Sequence, residues 1–110
     1  MTPEIVLTLA ALGGVTMVLI RLSGAPRPPT WLAIGHGLIA LVGLGLLVNA
    51  AMQTIIPQME QVSLGLFVLG ALGGAAIFGL FHLRDKALPI PLILGHGLIA
   101  LIALTLLFMY

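Results

Sequence analysis

Four long apolar stretches leave this chain few folds to choose from. They run over residues 5–22, 31–56, 62–83 and 88–110, and the second is interrupted only near its end, by Asn49, Gln53 and Thr54. Each meets the roughly 17–25 residues that a helix needs to cross a bilayer core. Lipid offers backbone groups no hydrogen bonds, so a spanning segment must be a helix or part of a closed barrel. The period-two alternation of a barrel strand is missing, which leaves helices. Ser23-Gly24-Ala25-Pro26-Arg27-Pro28-Pro29 makes the first break and Pro57-Gln58-Met59-Glu60-Gln61 the second. Arg84-Asp85-Lys86, followed by Pro89 and Pro91, makes the third. Connections this short force consecutive helices to lie antiparallel side by side. The expected fold is therefore an all-α integral membrane protein, a four-helix up-down bundle forming a single transmembrane domain over 1–110.

Composition removes other classes. Hydrophobic residues make up 61% of the chain and charged ones 6%, whereas soluble domains carry about a quarter charged residues. A net charge of +1 is too small for a nucleic-acid partner, which needs a basic face to neutralise phosphates. With no cysteine, disulfides and thiolate-held metals or clusters are excluded. No Ser-His-Asp set, phosphate loop or carboxylate pair is present, so an electron carrier or a subunit is expected rather than a stand-alone catalyst.

Charge placement gives an orientation. Arg21 and Arg27 flank the first loop, and Arg84 and Lys86 lie in the third; the middle loop and the N-terminal tip carry only Glu60 and Glu4. The positive-inside rule places loops one and three in the cytoplasm and both termini outside, with a bacterial inner membrane as the expected location. The N-terminus lacks the basic region and cleavage site of a signal peptide. Trp31 and Tyr110 stand at span ends, where interfacial aromatics collect.

The two halves align without a gap at an offset of 60 residues, giving repeats over 5–56 and 62–110. Ala11-Leu12-Gly13-Gly14 returns as Ala71-Leu72-Gly73-Gly74. Gly35-His36-Gly37-Leu38-Ile39-Ala40-Leu41 returns intact, from Gly95-His96-Gly97 to Leu101. This is a duplicated two-helix hairpin. Both copies must point the same way, related by a pseudo-two-fold axis along the membrane normal.

That symmetry puts His36 and His96 at one depth, about 8–10 Å inside the loop-one and loop-three end at 1.5 Å per residue. They lie on helices two and four, diagonal partners whose axes are expected roughly 12–14 Å apart. The gap suits two imidazoles reaching inward to one shared atom. Gly13, Gly14, Gly73 and Gly74 fall near the same level, and each costs about 1 kcal/mol relative to alanine inside a helix. Four of them together imply close approach, of another helix or of a flat cofactor; Gly35, Gly37, Gly95 and Gly97 flank the histidines themselves. Small residues follow each histidine on its face: Ala40 and Gly43 after His36, Ala100 and Ala103 after His96. Ionisable side chains inside spans are functional by default, and imidazole is both the commonest metal ligand and an axial ligand of haem iron. The expected cofactor is one six-coordinate haem b, its iron held by His36 and His96 and its edges beside the glycine pairs. Its propionates would then approach Arg21, Arg27, Arg84, Lys86 or His82.

In layout the chain resembles the membrane cytochromes b, four-helix bundles that clamp haem with histidines on two helices. The resemblance covers all four spans and rests on that architecture and on the paired Gly-His-Gly. It implies single-electron transfer, with quinone or a redox partner protein at the cytoplasmic face. Many such cytochromes hold two haems through four histidines; with three histidines in all, this chain has no second pair.

Other readings remain. Gly70-x-x-x-Gly74 and Ala10-x-x-x-Gly14 are also packing patterns for helices, which fits a small accessory subunit of a larger membrane complex. Small multidrug exporters match in length and span count, but need an acid inside the first span that this chain lacks. Chlorophyll binding would use each histidine separately, facing lipid. His82 has no symmetry mate, since Leu22 holds that slot, and is expected at the interface beside Arg84, with propionate contact or proton exchange with a quinone as the lesser alternative.

Overall fold

The computed structural model describes residues 2–109. It is all-helical, with four helices long and apolar enough to span a membrane. These are α1 (Pro3–Leu22), α2 (Thr30–Gln53), α3 (Gln58–Ile77, continued by a π-helical turn Phe78–His82) and α4 (Ile90–Phe108). No strand occurs among the described residues. Tyr110, assigned to the fourth span and an interface from sequence, lies outside them.

The local rules explain the starts and stops. Thr2 caps α1, its hydroxyl accepting from the Ile5 amide at 3.4 Å, and Pro3 stands in the first turn, where its missing N–H costs nothing. Pro29, Pro57 and Pro89 precede the other three helices. Two boundaries differ from the hydropathy reading. The second helix ends at Gln53, because Thr54 turns to an extended conformation. The third begins at Gln58, so the polar Gln58-Met59-Glu60-Gln61 segment is not a loop but its first turn. Glu60 there is favoured by the helix dipole.

Packing runs in a ring, α1 on α2, α2 on α3, α3 on α4 and α4 back on α1, with the two hairpins holding the most extensive interfaces. Helices α2 and α4 are thus diagonal. The molecule measures 43 × 20 × 20 Å, against about 40–45 Å for a bilayer with its headgroups. Large apolar side chains such as Leu12, Leu38, Leu72 and Leu98 face outward, as lipid permits.

The two ends of the ring are filled differently. Leu7, Leu47 and Leu107 form a core with Leu64, Phe67 and Leu104 beside it, all in the half nearer the middle loop. Fully buried Ser63 ties α3 to α4 there, its hydroxyl donating to the Ala103 carbonyl at 2.7 Å. Gly43 lets α2 seat against α1: a Cβ at that position would fall 2.7 Å from Leu7 Cγ and 3.3 Å from its backbone nitrogen. The other half of the ring contains the histidines.

A Cβ at Gly43 therefore has no room. Gly43→Ala is expected to destabilise the bundle by about 1–3 kcal/mol, the usual range for overpacking, despite alanine's better helix propensity. Thermal unfolding in detergent checks this; an unchanged or raised midpoint contradicts it.

Candidate functional site

His36 and His96 each sit six residues into a helix, counted from Thr30 and Ile90, so both lie about 9 Å along the axis from the end that carries loops one and three. Their helices are diagonal, and the two rings reach toward each other across the ring of helices. The ring centroids are 6.3 Å apart and the ring planes are nearly perpendicular, at 81°. Both side chains are partly buried.

Each ring is seated by the first helix of its own hairpin. His36 Nδ1 lies 2.7 Å from the Ala10 carbonyl, close enough that this nitrogen carries the proton and donates it. One turn further on, a Cβ at Gly14 would come within 3.1 Å of His36 Cε1, and one at Gly13 within 3.7 Å of Nδ1. The second hairpin repeats the seat: a Cβ at Gly74 would be 3.0 Å from His96 Cε1, and one at Gly73 3.9 Å from Nδ1. Here the carbonyl corresponding to Ala10 is that of Gly70, which faces the ring but lies outside hydrogen-bonding geometry, so His96 Nδ1 is enclosed without a partner. Leaving such a group unpaired costs about 1–3 kcal/mol.

These glycines therefore have a tenant already. Sequence reading placed them beside another helix or a flat cofactor; the structure places them against the imidazoles, tightly at Gly14 and Gly74, where a side chain would press on the ring, and at ordinary contact distance at Gly13 and Gly73. Gly35, Gly37, Gly95 and Gly97 are different. A Cβ on any of the four would meet no atom within 4 Å, so close packing within this chain does not require glycine there.

His36 and His96 do not belong to any larger ligand cluster. Among the described residues no group of three or more histidine, cysteine or acidic side chains could hold a metal ion. A bare ion of the zinc type wants three or four protein ligands; this site offers two.

His82, expected at the interface, is turned inward: it is 6% exposed, whereas its repeat counterpart Leu22 is 52% exposed. The cause is the π-helical turn, where the Leu83 amide bonds the Phe78 carbonyl at 2.9 Å, five residues back. The wider turn changes the angle at which the helix end presents its side chains. His82 then stacks on Phe78, centroids 5.0 Å apart, and its Nε2 meets the Thr30 hydroxyl at 3.0 Å. The missing symmetry mate was the only signal in the sequence.

The cations sort themselves similarly. Arg21 donates from Nε to the Leu88 carbonyl at 3.0 Å, binding loop three to the end of α1. Arg27 stands 3.9 Å from Asp85. Arg84 and Lys86 are exposed.

Compared with protein families, with curated proteins and with solved structures, the chain finds no match.

If the glycines are seats for the rings, enlarging one disturbs one ring. Gly14→Val should shift the His36 Cε1–H resonance in micelle NMR and leave that of His96 in place; Gly74→Val should do the reverse. Each should cost about 1–3 kcal/mol of stability. Equal shifts at both histidines, or none, would contradict the seating.

Proposed function

We propose that this chain is a membrane-embedded, single-electron carrier that holds one haem b between His36 and His96. The observation that carries the reading is the spacing of the two rings. Two side chains that would hold one metal atom must come together at one level from both helices. The measured separation is 6.3 Å.

Three further features support it. Protonation of His36 at Nδ1, directed at the Ala10 carbonyl, leaves Nε2 with a free lone pair, which is the arrangement that outer-shell hydrogen bonds impose on metal-binding histidines. The enclosed, partnerless Nδ1 of His96 stands in the second hairpin's matching glycine seat. A two-histidine donor set is too few for a bare ion, whereas haem would need only two side chains, His36 and His96, to hold it. Bound there, haem would supply a reversible one-electron couple. The protein's part is to hold both imidazoles at one height, with the His36 tautomer fixed by the Ala10 carbonyl, and to surround them with apolar helices that keep water away.

The orientation follows from charge. Loops one and three, with all four Lys and Arg side chains, face the cytoplasm by the positive-inside rule, and the histidines lie closer to that side. The reading favours exchange of electrons with a donor or acceptor at that face. A full crossing of the bilayer is disfavoured, since the leucine-filled half of the bundle has no second pair of ligands.

Protein purified from haem-replete cells should give a Soret band and the reduced-minus-oxidised spectrum of low-spin haem b. His36→Ala or His96→Ala should remove it, and His82→Ala should leave it intact. A folded, colourless protein, or a spectrum that survives both His36→Ala and His96→Ala, overturns the reading. The first result would favour an accessory subunit, whose glycine- and alanine-rich faces pack on partner helices.

A further inference from the structure

The two imidazoles are alike in packing and unlike in hydrogen bonding. A Cβ at Gly14 would stand 3.1 Å from His36 Cε1, and one at Gly74 3.0 Å from His96 Cε1. At Gly13 and Gly73 the matching distances to Nδ1 are 3.7 and 3.9 Å. Van der Waals contact with the first helix of each hairpin therefore seats both rings alike. The polar contact does not repeat. His36 Nδ1 has the Ala10 carbonyl at 2.7 Å, whereas His96 Nδ1 is enclosed and has no partner. The duplicated hairpins also differ in sequence at this carbonyl, which belongs to Ala10 in the first and to Gly70 in the second.

A hydrogen bond at one imidazole nitrogen decides what the other can do. It selects the tautomer, fixes the ring and makes the free nitrogen a better donor; losing such an outer partner costs about 10–100-fold in metal affinity. His36 has this support. For His96 to offer the lone pair of Nε2, its proton must sit on Nδ1, where no acceptor meets it. An enclosed N–H without an acceptor is unfavourable. Holding a metal by Nε2 therefore carries a cost at His96 that is absent at His36. The ring centroids are 6.3 Å apart among apolar helices, so whatever competes for the place of one ring must be small and uncharged.

We infer that the two histidines are unequal ligands, His36 permanent and His96 displaceable, and that a small neutral molecule of the carbon monoxide class takes the place His96 gives up. The inference rests on the haem reading above. The exchange replaces one lone-pair donor by another. The imidazole nitrogen leaves as the carbon lone pair of the competitor arrives, and no electron or proton is transferred.

The test uses the haem-loaded wild-type protein in micelles, reduced with dithionite and then saturated with carbon monoxide. The absorption spectrum should change to that of a carbon monoxide adduct. In proton NMR the Cε1–H resonances of both histidines should lie far upfield in the reduced protein. Carbon monoxide should return that of His96 to the ordinary imidazole range and leave that of His36 upfield. A second readout needs no haem: in the haem-free protein, imidazole nitrogen shifts should show His36 as a single Nδ1–H tautomer and His96 as not held in that form. A low-spin protein that takes up no carbon monoxide, release of His36 in place of His96, or the same fixed tautomer at both histidines overturns this proposal and leaves the carrier reading standing. A folded, colourless protein overturns both.

Discussion

An imidazole enclosed among apolar helices must find a partner for its N–H, and here the bond from His36 Nδ1 to the Ala10 carbonyl fixes what the rest of the bundle can be. A helix carbonyl is normally taken by the amide four residues on, but it has a second lone pair. To reach it, the ring must come close against α1, with Cε1 3.1 Å from where a Gly14 Cβ would stand, so a side chain there would crowd it. Glycine is unfavourable inside a helix by about 1 kcal/mol relative to alanine; docking the imidazole offsets that. Once Nδ1 is engaged, the ring has one orientation and one tautomer. Duplication then supplies a second imidazole from the opposite side, over a matching glycine seat but with its Nδ1 unpaired, and the two ring centroids come to 6.3 Å.

The ring of helices divides its length between two tasks. Toward the middle loop it is held by Leu7, Leu47 and Leu107, by the close approach at Gly43 and by Ser63 bonding across to α4. Toward the basic loops the centre is given to imidazoles, and cohesion comes from Arg21 on the Leu88 carbonyl and from the Leu88 amide on the Pro26 carbonyl. The stabilising apolar packing thus sits away from the histidines, which frees their level for polar groups.

Much of this was legible in the sequence. Hydropathy gave four helices because twenty apolar residues have few alternatives in lipid, and the repeat of Gly-His-Gly gave the two histidines one depth. The glycine pairs were found at the right level, but their contacts were not readable. A small residue announces that something comes close without saying what, and it was the imidazole of the same hairpin. Gly35, Gly37, Gly95 and Gly97 look equally significant in sequence, yet nothing within the chain crowds them. The start of α3 differs because Gln58, Glu60 and Gln61 read as loop by polarity, while a first helical turn accepts polar residues, an acid such as Glu60 especially, even though Glu60 is buried here. The inward turn of His82 could not be foreseen, since a π-helical turn changes angular phase without leaving a compositional mark.

The central claim is that two perpendicular imidazoles share one metal atom. Electron paramagnetic resonance of the oxidised, purified protein tests it most directly, because iron's response depends on both the number of axial nitrogens and the angle between their planes. With ring planes at 81°, the expected result is a low-spin ferric signal of the strongly anisotropic kind that crossed imidazoles produce. A high-spin signal, or no iron signal from folded protein grown with ample haem, would contradict the account.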